Sequence, residues 1–91
     1  MHYVISYDIP DDRRRAKLAK LLLDFGERVQ YSVFEAVLDQ KLFDKLLQRV
    51  NSVINDEEDS VRIYPMCATC ETGIMILGKG QVLADKDVYI L

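Results

Sequence analysis

Tyr3-Val4-Ile5-Ser6-Tyr7-Asp8-Ile9-Pro10-Asp11-Asp12-Arg13-Arg14-Arg15-Ala16-Lys17 joins an alternating apolar run to a charged, helix-forming one. Residues 2–9 are rich in β-branched and aromatic types and read as a strand. Pro10 stops it, and Asp11 suits the N-cap of a helix running to about Phe25. Within that helix Arg13, Lys17, Lys20 and Asp24 recur at helical spacing and share one face. Ala16, Leu18, Ala19, Leu22 and Leu23 fill much of the rest and must be covered. Gly26 is placed as the C-cap glycine.

Working outward, residues 28–38 read as a second strand, long and strongly β-prone. Asp39 caps a second helix to about Asn55, with Leu42, Phe43, Leu46, Leu47, Val50, Val53 and Ile54 at helical spacing. The acidic run Asp56-Glu57-Glu58-Asp59 is then a solvated turn. Val61 to Met66 is a third strand, in which Pro65 points to an edge or a bulge. Gly73 to Leu77 reads as a fourth strand, and Asp87 to Leu91 as a short terminal one.

The fold assigned to these elements is the split βαβ arrangement of an α+β, ferredoxin-like domain, βαββαβ with an extra C-terminal strand. Residues 1–91 are expected to form one such domain, with two helices on one face of an antiparallel sheet. Two helices leave the other face uncovered, and both alternating sets of the strands carry apolar side chains. A second copy of the chain is the economical cover, giving a two-fold homodimer. A monomer with a partly exposed sheet is the bland alternative.

The 91 residues hold 12 Lys and Arg against 15 Asp and Glu, a formal net charge of −3. That balance argues against a protein that coats nucleic acid non-specifically. The charge is uneven, however: Arg13, Arg14, Arg15, Lys17 and Lys20 fall close together, and a local basic face binds phosphates even in an acidic chain. No apolar run approaches a membrane span and no signal-peptide pattern opens the chain, so the cytoplasm is the expected compartment. Cys67 and Cys70 stand as Cys-Ala-Thr-Cys. The pair is open to three readings: plain loop residues, a disulfide or redox pair, or half of a metal site shared between two chains.

A carboxylate at the tip of a rigid strand suits a hard cation such as magnesium, which takes oxygen ligands. Asp8 is such a group, but one carboxylate is too few for a closed site. If a two-fold axis passes near the end of the first strand, two copies of Asp8 approach each other and, with waters, make a magnesium site that assists attack on a phosphodiester. Ser6 alternates onto the same strand face. The bland reading of Asp8 is a residue that merely starts a turn before Pro10. For Arg13, Arg14, Arg15 and Lys17 it is a solvated face with salt bridges to Asp12, Asp24 or Glu27. Phe34 reads as core or interface, or as a ring that stacks on a base. His2 reads as incidental rather than as a general base.

Tyr7-Asp8-Ile9 after a strand, Asp11-Asp12-Arg13 opening a helix, and the block Gly26-Glu27-Arg28-Val29-Gln30-Tyr31-Ser32-Val33-Phe34-Glu35 resemble the small CRISPR-associated protein of the spacer-acquisition machinery, the second of its two universal subunits. Arg62-Ile63-Tyr64-Pro65 and the terminal strand fit the same pattern, so the resemblance covers nearly the whole chain. It implies a ferredoxin-like homodimer whose last strand pairs with the partner's sheet, with Mg2+ held between two copies of Asp8. It implies metal-dependent cleavage of single-stranded RNA or double-stranded DNA, and a bridge between dimers of the CRISPR integrase subunit that holds spacer DNA. Arg15, Lys17, Arg28, Ser32 and Phe34 fall where the family tends to place groups around that cleft. Lys17 stands where some relatives carry arginine, which removes a bidentate phosphate grip.

Three functions follow as expectations. The leading one is a magnesium-dependent endonuclease of CRISPR adaptation, with Asp8 as metal ligand and Arg15, Lys17 and Arg28 orienting phosphates. The second is a non-catalytic dimeric adaptor that positions DNA for the integrase. The third is a small-molecule-sensing domain of the same fold.

Overall fold

A computed structural model describes residues 1–78 of the chain. Its elements are β1 (His2–Asp8), α1 (Asp12–Leu22), β2 (Glu27–Gln30), β3 (Val33–Val37), α2 (Gln40–Asn51), β4 (Ser60–Met66) and a short α3 (Ala68–Thr72). The strands form one antiparallel sheet in the order β2-β3-β1-β4. This is the expected ferredoxin-like α+β architecture, with α1 and α2 on one face. Among the described residues no helix is long and apolar enough to cross a membrane.

Both N-caps behave as their chemistry dictates. The Asp11 carboxylate accepts the Arg14 backbone N–H at 2.9 Å, and that of Asp39 accepts the Leu42 N–H at 2.8 Å. Each satisfies a donor that the first helical turn otherwise leaves without a partner. Both helices stop earlier than the periodicity predicts, at Leu22 and Asn51. In α1 the buried side chains are Leu18, Ala19, Leu21 and Leu22, whereas Ala16 and Leu23 are exposed.

Gly26 is needed for a reason other than capping. Its N–H does bond Leu22 O at 3.0 Å, but Leu23 is the capping residue. A Cβ at Gly26 would sit 2.1 Å from the carbonyl oxygen of Glu35. The glycine lets the chain leaving α1 press against β3.

The stretch 28–38 is not one strand. It folds back on itself at Tyr31-Ser32, with a bulge between Arg28 and Gln30. Ser32 is the only residue of a turn-marking type in this turn; Gly, Pro, Asn and Asp are absent. It is pinned instead by Tyr7, whose backbone N–H donates to Ser32 O and whose hydroxyl donates to Tyr31 O, both at 3.1 Å. This hairpin supplies the two consecutive strands that the βαββαβ order requires.

Residues 73–77, read from sequence as a fourth strand, are not a strand. The chain turns through α3, and the run Ile74-Met75-Ile76-Leu77 pairs with none of the described strands. A β-prone run becomes a strand only when a ladder partner takes up its backbone groups. The terminal strand read at 87–91 lies outside the described residues. Among the described strands Pro65 sits on an edge, β4, the position that tolerates a missing N–H.

The core lies between the helices and one alternating set of strand residues. Tyr3, Ile5 and Tyr7 of β1 and Phe34 and Ala36 of β3 are buried there with Leu18, Leu22, Leu46 and Val50. Tyr3 stacks on Phe43 of α2 at 4.5 Å between ring centroids. The other set faces away from the helices. Register places Val4 between Glu35 and Tyr64, Ser6 between Val33 and Arg62, and Asp8 beside Ser60. We call this the open face.

Candidate active site and nucleic-acid surface

Everything that carries chemistry in the opening stretch gathers at one end of the sheet. β1 ends there at Asp8, β4 begins there at Ser60, the β2–β3 hairpin turns there, and α1 starts just beyond. Asp8 is exposed, on the open face, in a shallow polar depression lined by Ser6, Tyr7, Ser60, Arg62 and Tyr64. Among the described residues no cation pairs with its carboxylate. Arg62 donates from Nη1 to the Tyr64 hydroxyl at 3.4 Å, which leaves its remaining N–H groups available to an incoming anion.

A carboxylate and a guanidinium on one exposed surface suit a cation–phosphate pair. Magnesium keeps several waters and uses one or two carboxylates together with substrate phosphate oxygens. Asp8 fits that pattern as a single donor. Among the described residues no three His, Cys, Asp or Glu side chains cluster closely enough to cage an ion. Among the described residues the chain therefore offers a metal one open carboxylate ligand.

On the other side of β1, Arg28 lies across the edge of the core. Its guanidinium carbon sits 5.3 Å from the Phe34 ring centroid, and Nη2 donates to the Tyr7 hydroxyl at 3.4 Å. Arg28 is otherwise exposed, and together with Val29, Gln30, Tyr31 and Ser32 it lines a groove along β2. Phe34 itself is 0% exposed. Base stacking by Phe34 is thus sterically closed, and its ring supports Arg28 from beneath. Tyr31 at the hairpin tip is 94% exposed and has the free aromatic face that Phe34 lacks.

The basic residues of α1 divide into two groups. Arg15 donates from Nη1 to Ile9 O at 2.9 Å and pairs with Asp12, so it braces the chain just after Asp8. Arg14 is committed elsewhere. It grips Asp59 with Nε at 2.8 Å and Nη2 at 3.1 Å, and reaches Glu58 at 3.0 Å. The Asp59 side chain is 0% exposed and also accepts the Asn55 N–H at 2.8 Å. The acidic run is therefore not simply a solvated turn, because its last member docks α1 against the start of β4. The Arg14 hydrogen bonds hold the Asp59 carboxyl below the usual carboxylate range, and the same contact raises Arg14. Arg13 and Lys17 are exposed and form no ion pair among the described residues. By helical spacing Arg13 lies opposite the buried stripe of α1, away from the open face. The salt bridge that does engage Asp24 comes from Arg49 of α2, at 3.0 Å.

His2 is buried and bonded to Glu35 through Nε2 at 3.0 Å. It stands at the opposite end of β1 from Asp8, so it cannot serve as a base there. Two candidates escaped the sequence reading, Arg62 and Tyr31. In the sequence Arg62 stood only as the first residue of the Arg62–Pro65 stretch, with no role at the site; strand register is what carries it to the side of Asp8. Tyr31 was hidden because the turn around it carries none of Gly, Pro, Asn or Asp.

Comparison with known proteins agrees with this architecture. The family model described as CRISPR associated protein Cas2 matches residues 1–74. A protein of Synechocystis named CRISPR-associated endoribonuclease Cas2 3 is 51% identical over 85% of this chain and 84% of its own length. One of Chloroflexus aurantiacus, CRISPR-associated endoribonuclease Cas2 1, is 47% identical over the full length of both. The crystal structure of Streptococcus pyogenes Cas2 at pH 6.5 is similar at a TM-score of 0.75, with 30% identity, over 86% of this chain and 100% of its own. A chain of a partial Cas6-RT-Cas1–Cas2 complex is similar at 0.77, with 29% identity, over 99% and 97%. With a matched model spanning most of its length and relatives at this identity, the chain belongs to the CRISPR associated protein Cas2 family.

Proposed function

We propose that this chain acts in CRISPR spacer acquisition as a homodimeric, magnesium-dependent endonuclease, with Asp8 as the residue that holds the metal. The observation that carries the reading is Asp8 itself. It is an exposed carboxylate at a rigid strand end, beside Ser6, Ser60 and Arg62, with no cation paired to it among the described residues. Relatives named endoribonuclease and endonuclease support the reaction class. Magnesium, when bound, supplies charge neutralisation at the attacked phosphodiester.

The protein's own side chains do the rest. Arg62 binds a phosphate oxygen from the open face, and Arg28 binds one from the hairpin side, each by planar, charge-assisted hydrogen bonds. Arg15 fixes the backbone at Ile9 and so the orientation of Asp8. Tyr31 stacks on a base without reading its identity. Arg13 and Lys17 steer the polyanion from a distance, an effect that salt weakens. The second Asp8 comes from a second copy packed on the open face, where Val4, Val33, Val37 and Met66 remain only partly buried.

The test is cleavage of single-stranded RNA and double-stranded DNA by the wild type and by Asp8→Ala, with magnesium and with a chelator. Metal-dependent cleavage confined to the wild type supports the reading. Cleavage that survives Asp8→Ala refutes it. A second reading, a structural adaptor between integrase subunits, is favoured by the similarity to a chain of the Cas1–Cas2 complex. In that case Asp8→Ala retains full spacer integration when the integrase partner is supplied.

A further inference from the structure

At the end of the sheet remote from Asp8, β4 finishes at Met66 beside His2, and the chain turns into α3. Six steps of β1 at about 3.4 Å separate the two ends, roughly 20 Å. Cys67 and Cys70 lie at this turn, and both are exposed. Their sulfurs are 3.2 Å apart, and the Cys70 backbone N–H donates to the Cys67 sulfur at 3.4 Å. Nothing in the proposed nuclease chemistry uses them.

The geometry discriminates between uses. Two thiols are half of a tetrahedral zinc set, and among the described residues no third His, Cys, Asp or Glu joins them. Structural cysteines are usually buried and inert, whereas exposed, hydrogen-bonded pairs react. The two sulfurs already face each other, so closing the bond requires only a small movement toward disulfide length. The two residues are also not equivalent. Donation by the Cys70 backbone N–H, and then by its thiol, favours charge on Cys67 and holds its pKa below the ordinary value, while Cys70 is raised by the same partnership.

We propose that Cys67 and Cys70 form a dithiol site that exchanges with low-molecular-weight disulfides of the glutathione type, Cys67 attacking and Cys70 resolving. The Cys67 thiolate attacks one sulfur of the reagent, forming a mixed disulfide and expelling one thiolate, which takes up a proton. Cys70 then gives its proton to solvent and attacks the Cys67 sulfur. The internal disulfide forms, and the second half of the reagent leaves as a thiol. Two electrons pass from the cysteines to the reagent, and one disulfide is exchanged for another. The product ties the middle of α3 to the residue that joins it to β4.

Reduced full-length protein would be treated with oxidised glutathione and followed by intact mass. The wild type should lose two hydrogens and release two equivalents of reduced glutathione per chain. Cys70→Ser should accumulate a stable adduct of one glutathione, and Cys67→Ser should react several-fold more slowly. In urea the two single variants should react at equal rates, because the folded contacts are gone. The proposal is overturned if the wild type carries two adducts and no internal bond, or if the reagent links separate chains. It is equally overturned if the folded single variants react alike, or if bound zinc protects the wild type from exchange.

Discussion

The two faces of the sheet are built from neighbouring residues of the same strands yet obey opposite rules. On the helix side Ile5 and Phe34 are wholly buried, with Tyr3, Tyr7 and Ala36 beside them. On the open side Val4, Ser6, Val33 and Glu35 stay half-buried and Asp8, Ser60 and Arg62 are exposed. One residue of register separates a core position from a chemical one, because strand side chains alternate. The covered face supplies the core, and the open face leaves Asp8, Ser60 and Arg62 accessible.

That contrast can be broken most severely from the covered side. Phe34→Ala should cost about 3–5 kcal/mol of stability, since it empties a fully enclosed aromatic site and strips the support beneath Arg28. Denaturant unfolding measures this, and a loss below about 1 kcal/mol would mean that the site is not enclosed. Gly26→Ala comes next. Its new Cβ meets backbone rather than a side chain that can move, so a loss of about 1–3 kcal/mol is expected from overpacking. Thermal unfolding of this variant beside Gly73→Ala, where the nearest atom is 3.4 Å away, isolates the effect.

The Arg14–Asp59 contact makes stability depend on pH. Asp59 is held below its ordinary carboxylate range in the folded protein, so the unfolded chain takes up its proton first as pH falls. The stability from this contact is fully present above the unfolded value, near about 4, and is lost on further acidification. Asp59→Asn should therefore flatten the fall in stability below about pH 4 and leave the curve's shape near neutrality unchanged. On the open face, Arg62→Ala should move stability by no more than about 0.5 kcal/mol, as surface substitutions do. Its effect belongs to binding: weaker affinity for single-stranded nucleic acid, and a shallower dependence of that affinity on salt.

Much of this was legible from sequence, and the failures have physical causes. The strand–helix passage from Tyr3 to Lys17 was readable because a proline, an N-cap aspartate and a change of period coincide there. The hairpin at Tyr31-Ser32 was not, because its turn is imposed by Tyr7 from the adjacent strand rather than by local chemistry. Asp59 read as one of four solvated acids, since only tertiary packing distinguishes it from Asp56. Phe34 looked like a candidate for stacking because alternation alone does not say which face the helices cover. Asp8 could be singled out, yet its neighbour Arg62 lies on another strand 54 positions along, where spacing carries no information.

In the proposed function two copies of Asp8, brought together on paired open faces, act jointly in cleavage. This is tested by mixing wild-type and Asp8→Ala chains, allowing subunits to exchange, and measuring the magnesium-dependent rate at constant total protein. Shared use of the two carboxylates predicts a rate that falls with the square of the wild-type fraction. A rate linear in that fraction, or the absence of any metal-dependent cleavage by the wild type, contradicts it.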